Sequence, residues 1–253
     1  MNHVFLICYP RTGGTWVGKI FDTLPNVKFL WEPDYQNFQQ WNFYNEQRLH
    51  ERIIRFKPHV KMAIEFPKNG EIDTAVYKLS FPFQSIYTDN MQTVAFEHIR
   101  NKLNAKVVHL TRHPLRWAAS IRRWRQGLED TRFTDGPLSN LMRWYVQKNE
   151  IFTRMYYDQD WYWPVSHERL MDNLENEVKG MFFHCGLKIG EQTRNFMNIC
   201  HTFNDEKSDE EIDRHKVIMK PDTVKNRWQE MSKEVIKLGH RLAKDSILFE
   251  KIK

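Results

Sequence analysis

The chain has 253 residues, of which 41% are hydrophobic and 28% charged, and its 38 Lys+Arg against 32 Asp+Glu give a formal net charge of +6. These values are typical of a soluble globular protein with a single domain over residues 1–253, and the basic excess suits either anionic ligands or a generic basic surface. The three cysteines show no pair spacing for a metal, and their odd number argues against a disulfide framework. No apolar run approaches the ~18 residues needed to span a bilayer.

The first half of the chain alternates strand-like and helix-like segments. Short apolar runs predict strands over VFLIC (4–8), NVKFLW (26–31) and TAVYKLSF (74–81). Helical spacing of apolar residues predicts helices over TWVGKIFDTL after the first strand, over 36–57 and over 91–103.

The second half continues the alternation. Strands are predicted over AKVVHLT (105–111) and DWYWPVS (160–166). Helices are predicted from Pro114 to Trp124, through LSNLMRWYVQKNEIF, and over 170–185, 190–200 and 229–247. The charged stretch 201–226 fits a mobile lid and a solvated loop equally well.

This alternation predicts an α/β fold, a three-layer sandwich around a mostly parallel central sheet. Cys8 lies in an apolar run and is interpreted as a core residue rather than a reactive thiol. The first apolar run is too short for a signal peptide, so a chain that starts naturally at Met1 is expected in the reducing cytoplasm.

The loop YPRTGGTW (9–16) follows the first predicted strand and opens the first predicted helix. At the carboxyl end of a strand, a helix start presents unpaired backbone N–H groups and a positive dipole end to an anion. Gly13 and Gly14 allow close approach, Thr12 and Thr15 add hydroxyl groups, and Arg11 adds a guanidinium. The loop is therefore expected to hold a phosphate-like group.

The loop differs from the Walker A motif of nucleotide kinases. That motif reads G-x-x-x-x-G-K-[ST], with its lysine after the second glycine and a hydroxyl that binds Mg²⁺. Here no glycine begins the loop, and the basic residue, Arg11, precedes the glycines. A P-loop kinase is therefore the less favoured interpretation.

YPRTGGTW resembles the 5′-phosphosulfate-binding loop of sulfotransferases that use 3′-phosphoadenosine 5′-phosphosulfate (PAPS), typically Y-P-[KR]-[ST]-G-[TS]-[TS]-W. The resemblance implies a P-loop-like phosphosulfate-binding loop with Arg11 at the transferring sulfuryl group and Trp16 stacked on adenine. It also implies that the 5′-phosphate is surrounded by Thr12, Gly13, Gly14 and Thr15. Gly14 departs from the usual Thr or Ser, which removes one hydroxyl donor.

A second motif, HLTRHPLRWAASIRRW (109–124), resembles the 3′-phosphate motif R-[DN]-P-x-x-x-x-x-S of the same family. Arg112 and Ser120 match its arginine and serine, while His113 replaces the usual acidic or amide residue. Helical spacing places Arg116, Ser120 and Arg123 on one face. Two separate phosphate sites would distinguish PAPS from ATP.

Two weaker matches follow along the chain. VSHERLMDN (165–173) is similar to the family's V-R-Y-E-D-L segment, which implies His167 near the adenine. KNRWQEMSKE (225–234) is similar to the segment G-R-W-K-x-x-L, which implies closure over the nucleotide by Lys225, Arg227 and Trp228. Asn226 stands where the family has glycine.

The resemblance offers two patterns for the general base. KLSFP (78–82) is similar to K-T-H-L-P, so Lys78 matches the lysine, but Ser80 replaces the histidine base. WEPDY (31–35) is similar to the glutamate context of carbohydrate-type and some bacterial members. We therefore expect Glu32 to be the base, with Arg11 and Lys78 stabilising the sulfuryl group and leaving phosphate; Glu65 and His59 are reserve candidates.

The resemblance implies in-line sulfuryl transfer from PAPS, with adenosine 3′,5′-bisphosphate (PAP) as the product nucleotide and no metal. The acceptor is expected to be a hydroxyl, less often an amine, of a glycan or small molecule. Aromatic residues able to stack on such an acceptor, or to form ordinary core, are Trp31, Tyr35, Phe38, Trp41, Phe43 and Tyr44. The alternatives are a P-loop nucleotide or small-molecule kinase and a basic nucleic-acid-binding protein, the latter without an RRM, KH or helix-turn-helix pattern.

Overall fold

Five parallel strands form one sheet in the computed structural model, which describes residues 1–31, 66–68, 70–79, 89–126, 135–202 and 227–248. The sheet order is β2-β3-β1-β4-β5. The strands are β1 (Asn2–Cys8), β2 (Val27–Trp31), β3 (Thr74–Leu79), β4 (Lys106–Thr111) and β5 (Tyr162–Ser166). The predicted α/β class with a parallel central sheet is therefore confirmed.

Eight α-helices and one 3₁₀-helix lie within these ranges. The α-helices are α1 (Gly14–Asp22), α2 (Asp89–Leu103), α3 (Pro114–Gln126), α4 (Asp135–Tyr156), α5 (His167–Asp172), α6 (Leu174–His184), α7 (Glu191–Thr202) and α8 (Lys233–Lys244), and the 3₁₀-helix is Arg227–Glu230. Among these helices none combines the length and the apolar character that crossing a membrane requires.

Alternate residues of β1 face two different apolar clusters, as expected for a strand buried on both sides. Val4, Leu6 and Cys8 belong to the cluster that packs under α1, α6 and α7. Phe5 and Ile7 belong to the cluster under α2 and α4. The helices therefore cover both faces of the sheet, which confirms the predicted three layers and the interpretation of Cys8 as a core residue.

Two predicted helices differ from the structure. The helix predicted over 170–185 is two helices, because Asn173 (φ −149°, ψ 60°) leaves the helical region between α5 and α6. The helix predicted over 229–247 begins as the 3₁₀-helix, and α8 starts anew after Ser232, whose hydroxyl caps the N–H of Val235. The predicted helix over 36–57 lies outside the described residues, as does the charged stretch from residue 203 to 226.

The sheet order creates a topological switch point at β1. The chain moves from β1 to β2 and β3 on one side of it and then to β4 and β5 on the other. In open α/β sheets, ligands bind in the crevice beyond the carboxyl ends of the strands at such a point. The two sequence motifs follow β1 and β4, so both lie at this crevice.

A buried hydrogen-bond network ties α4 to β4 and β5 beneath the crevice. His109 is 2% exposed, and its Nδ1 and Nε2 lie 2.7 Å from the Tyr162 hydroxyl and 2.9 Å from Asn149 Oδ1. Asn149 Nδ2 donates to the Tyr145 carbonyl at 2.7 Å, so Oδ1 must accept from an Nε2–H tautomer of His109. Burial lowers the pKa of His109 to about 4, which keeps this ring neutral at physiological pH.

The first prediction concerns acid stability. Because the pKa of His109 is lower in the folded state than its usual ~6.5, its contribution to the free energy of unfolding is complete above pH ~6.5 and falls as the pH decreases towards 4. We expect a loss of up to about 3 kcal/mol from this residue. H109Q keeps an acceptor and a donor, and urea unfolding between pH 7 and 4.5 should show a shallower pH dependence for H109Q than for the wild type. Parallel curves would contradict this assignment.

Gly14 lets the start of α1 lie directly over β1. A Cβ at Gly14 would lie 2.3 Å from Cys8 Sγ, far inside van der Waals contact. Cys8 is 1% exposed within the central strand and has little room to move. The hydroxyl-bearing residue that the family usually has at this position is therefore sterically excluded by Cys8.

The second prediction is a coupling between these two residues. G14A should lower the free energy of unfolding by about 1–3 kcal/mol through overpacking. C8A removes the sulfur, so C8A/G14A should be more stable than the sum of the two single changes indicates. Urea unfolding of the four proteins measures the coupling, and additive effects would show that the strand and loop relax independently.

Candidate active site

The loop between β1 and α1 has an unusual backbone. Arg11 (φ 70°) and Gly13 (φ 100°) are both left-handed, and Gly13 is the N-cap of α1. The Thr12 hydroxyl donates to the Tyr9 carbonyl at 2.7 Å, and the Thr12 N–H lies 3.2 Å from the same oxygen. Thr12 is fully buried and closes the turn, so its side chain shapes the loop.

The first turn of α1 leaves backbone N–H donors available at the loop. The first helical hydrogen bond runs from the Val17 N–H to the Gly13 carbonyl, so the N–H groups of Gly14, Thr15 and Trp16 have no partner within the helix. A Cβ at Gly13 would lie 2.8 Å from His167 Cδ2. Glycine is therefore required at this position by both its backbone angle and its neighbour.

Three hydrogen bonds join this loop to the second motif. Arg112 Nη1 donates to the Arg11 carbonyl at 2.8 Å, and Trp117 Nε1 donates to the Pro10 carbonyl at 2.9 Å. Arg11 Nε donates to Ser120 Oγ at 3.3 Å. The structure thus brings together the two motifs that lie about a hundred positions apart in the sequence.

Arg112 is held at the end of β4 from its backbone. The Tyr145 hydroxyl accepts from the Arg112 N–H and donates to the Arg112 carbonyl, both at 2.9 Å. The Tyr145 ring is fully buried and stacks on Trp117 at 4.1 Å. Tyr145 of α4 therefore fixes the end of β4 and the start of α3 to each other at this arginine.

The Arg112 side chain is buried yet incompletely bonded. It is 4% exposed, and its Nε has no hydrogen-bond partner in the described part of the chain. Burial lowers the pKa of Arg112 to about 10, while the Glu168 carboxylate opposes that shift, so the guanidinium remains charged at neutral pH. A buried cation with an unused donor suits an anionic ligand.

His113 supplies the cap that the family's acidic or amide residue would supply. Its Nδ1 accepts from the Leu115 N–H at 3.3 Å, and its carbonyl accepts the first α3 hydrogen bond from Trp117. Burial lowers the pKa of His113 to about 4, so the neutral ring can accept. The substitution therefore preserves the helix start.

Lys78 reaches the loop from β3, on the other side of β1. It is 6% exposed, and its Nζ donates to Thr15 Oγ1 at 3.3 Å. Three neighbouring strands thus direct basic groups to one crevice: Lys78 from β3, Arg11 after β1 and Arg112 after β4.

Trp16 and His167 lie side by side beneath the loop. Their ring centroids are 5.9 Å apart, and Trp16 Nε1 donates to Cys200 Sγ at 3.4 Å. Trp16 is 4% exposed and His167 is 2% exposed. Burial lowers the pKa of His167 well below its usual value, so the ring is neutral. Their predicted contact with adenine stays a prediction.

The C-terminal segment lies against the start of α3. The Trp228 ring is edge-on to the His240 ring, with 5.4 Å between their centroids, and the centroids of the His240 and His113 rings are 6.2 Å apart. Arg227 begins the 3₁₀-helix, while Lys225 and Asn226 lie outside the described residues. Trp228 is therefore linked to the second motif through two histidine rings.

Several predicted residues fall outside the described ranges. Glu32, the predicted base, is one of them, as are Ser80 and the reserve candidates Glu65 and His59. Within the described ranges, no cluster of three or more His, Cys, Asp or Glu side chains is arranged to hold a metal ion.

Two residues that stabilise the site, Tyr145 and Glu168, were not predicted from the sequence. Tyr145 gives no local signal, because its partner is a backbone segment far away in the sequence. Glu168 had a signal, since it is an acid that follows a predicted strand directly within the VSHERLMDN match.

Comparison with known proteins gives a consistent result. The model of the sulfotransferase family matches residues 3–191. The fold is similar to that of the mouse sulfotransferase SULT7A1 complexed with PAP, with a TM-score of 0.57 and 10% identity over 97% of this chain and 84% of that chain. Comparison with curated protein sequences found no match.

Two further structures share the fold. The sulfotransferase domain of the Synechococcus PCC 7002 olefin synthase has a TM-score of 0.52 and 15% identity over 96% of this chain and 94% of that chain. A sulfotransferase domain from the curacin biosynthetic pathway has a TM-score of 0.51 and 12% identity over 96% and 97%. The family model covers most of the chain, and the chain belongs to the sulfotransferase family.

Proposed function

We propose that this chain transfers the sulfuryl group of PAPS to a hydroxyl, less often an amine, of a glycan or small-molecule acceptor. The proposal extends family membership to a donor and a class of acceptor. The PAP bound to the mouse enzyme of similar fold supports the choice of donor. The buried thiols of all three cysteines are compatible with the proposed cytoplasmic location, and a single domain over 1–253 remains part of the proposal.

The observation that carries the proposal is the junction of the two motifs. Arg112 binds the backbone of the first loop, and Arg11 of that loop binds Ser120 of the second motif. The N-terminus of α1 and the buried Arg112 side chain therefore lie next to each other at the crevice. This arrangement suits a ligand with two phosphate groups, one at the helix start and one at Arg112.

The residues divide naturally between the two phosphates. The backbone N–H groups of Gly14, Thr15 and Trp16 suit the 5′-phosphosulfate, with Thr12 and Gly13 shaping the loop around it. Arg112 suits the 3′-phosphate through charge-assisted hydrogen bonds. Ser120 accepts from Arg11 and can donate its own proton to the same phosphate.

The remaining cofactor contacts come from the family resemblance. Trp16 and His167 would flank the adenine, and Lys225, Arg227 and Trp228 would close over the nucleotide. Trp228 already packs beside His240, next to the capping residue of α3. The C-terminal segment is thus attached close to where the nucleotide would lie.

Sulfuryl transfer forms one S–O bond and breaks another. The acceptor oxygen attacks sulfur in line, the bridging S–O bond breaks, and its electron pair stays on the phosphate of PAP. Arg11 and Lys78 are placed to stabilise the negative charge that grows on this oxygen. Glu32 follows β2, whose neighbour β3 carries Lys78, and we propose that its carboxylate takes the acceptor proton.

A P-loop kinase remains the alternative, and it predicts a different ligand. A kinase binds its nucleotide together with Mg²⁺, whereas the family resemblance implies a donor with a second phosphate that binds without a metal. The two functions are therefore separable by binding alone.

Calorimetric titration without metal tests the donor. We expect PAP to bind more tightly than AMP or ATP, because only PAP fills both phosphate positions. R112K keeps a charge but loses the planar fork, and it should weaken PAP binding by about 10- to 100-fold. AMP binding should weaken less, because AMP lacks the 3′-phosphate and a lysine can still donate to the Arg11 carbonyl that shapes the first loop.

R100A is the matched control for that experiment. Arg100 binds the Ala105 carbonyl at the amino end of β4 and stacks on Trp161, away from the crevice. R100A should bind PAP like the wild type. Binding of Mg-ATP in place of PAP would overturn the sulfotransferase donor and favour the kinase.

The base is tested by E32Q in turnover assays with PAPS and a screened acceptor. Loss of a general base should lower kcat by about 10²–10⁴-fold while PAP affinity stays near that of the wild type. If E32Q turns over within a few-fold of the wild type, the proton is taken by another group, and E65Q and H59Q become the next variants to assay.

A further inference from the structure

Glu168 is a buried carboxylate placed among the basic groups of the second motif. It is the second residue of α5, directly after β5, and its side chain is 2% exposed. Its Oε2 accepts from the His113 N–H at 3.0 Å, and its Oε1 lies 3.6 Å from Arg116 Nη1. The carboxylate thus touches both the residue after Arg112 and the first arginine of α3.

A hydrogen-bond acceptor for His113 would not by itself require a charge. A neutral amide could accept the same N–H, whereas burying a carboxylate is unfavourable unless cations compensate its charge. Burial raises the pKa of Glu168, while Arg112, the His113 N–H and Arg116 act in the opposite direction. The compensation comes from the arginines at the site, so the charge of Glu168 is coupled to them.

Glu168 also affects the geometry of the second motif, because it contacts the start of α3. Arg112 and Ser120 flank the first two turns of α3, so any shift of the helix start changes the distance between them. Glu168 fixes that start at the His113 amide and holds Arg116 on the same turn. Tyr145 restrains the Arg112 backbone independently, so Glu168 acts on the helix rather than on the strand end.

We propose that Glu168 is a positioning residue for the 3′-phosphate site, holding the start of α3 and the Arg116 guanidinium so that Arg112 and Ser120 face one phosphate group. This inference rests on the proposed function. It assigns to Glu168 no contact with the substrate and no part in proton transfer.

The test compares PAP with AMP, which lacks the 3′-phosphate, by calorimetry. E168Q keeps the size and one acceptor but removes the charge. We expect E168Q to weaken PAP binding at least 10-fold and to change AMP binding less than 2-fold. E168D keeps the charge on a shorter chain and should recover part of the PAP affinity, which also provides a folded variant if E168Q unfolds.

E177Q is the matched control. Glu177 is a partly buried carboxylate in the first turn of α6, and its Oε1 accepts from Arg169 Nε at 2.9 Å. Any effect of E177Q should be confined to a lower melting temperature, and its preference for PAP over AMP should equal that of the wild type. The same pattern in E168Q would reduce Glu168 to a structural role and overturn the proposal.

The other outcomes are also decisive. Tighter PAP binding by E168Q would show that the carboxylate weakens the arginines' attraction for phosphate, which contradicts positioning. The wild-type preference for PAP over AMP is measured first, because its absence is a failure of the proposed function. A wild-type preference that E168Q and E168D both retain overturns the role of Glu168 alone.

Discussion

The hydrogen bond from the Arg112 guanidinium to the Arg11 carbonyl is the contact on which the site depends. Arg11 has a left-handed backbone that an L-residue adopts only at some cost, and its carbonyl must find a donor. Arg112 is able to supply that donor because Tyr145 fixes its backbone and the core buries its side chain. Loop, strand end and helix α3 therefore form one unit, and neither motif has its shape without the other.

Both departures from the family's motifs have a local physical reason. Gly14 stands where a hydroxyl residue is usual, because Cys8 occupies the space below it. His113 stands where an acid or amide is usual, and its neutral ring performs the same capping. The second exchange has an electrostatic effect, since it leaves Glu168 as the buried carboxylate beside the arginines in the described part of the site.

The sequence predicted the parts of the fold that depend on short-range patterns. Continuous apolar runs identified the strands, because a strand buried on both faces is mostly apolar over its buried part, as over residues 4–8 of β1. The division at Asn173 escaped prediction because apolar spacing continues across it, whereas the break lies in one residue's backbone angles. The spacing of apolar residues thus predicts that a helix is present, but it does not predict whether that helix is interrupted.

The same distinction applies to the site. Arg11, Arg112 and Ser120 were identifiable because they lie in local motifs, and the structure brings the three together. The Thr12 hydroxyl, which the sequence suggested as a ligand donor, donates instead to the Tyr9 carbonyl. The sequence could not predict this bond, because only the folded turn shows which acceptor is nearest. Tyr145 acts across 33 positions on a backbone group, and no residue pattern encodes such a contact.

The central position of β1 also determines when the site can form during synthesis. Val4 lies opposite Val76 in β3 and Lys106 in β4, so the strand made earliest among these five must wait for two later strands. At ~5–20 residues per second, the ribosome needs on the order of 5–20 s to supply the roughly one hundred residues in between. Both edges of this apolar strand stay unpaired until β3 is made, and the edge that β4 covers stays unpaired for the whole interval. The nascent chain is therefore more exposed to aggregation before the segment containing Arg112 emerges.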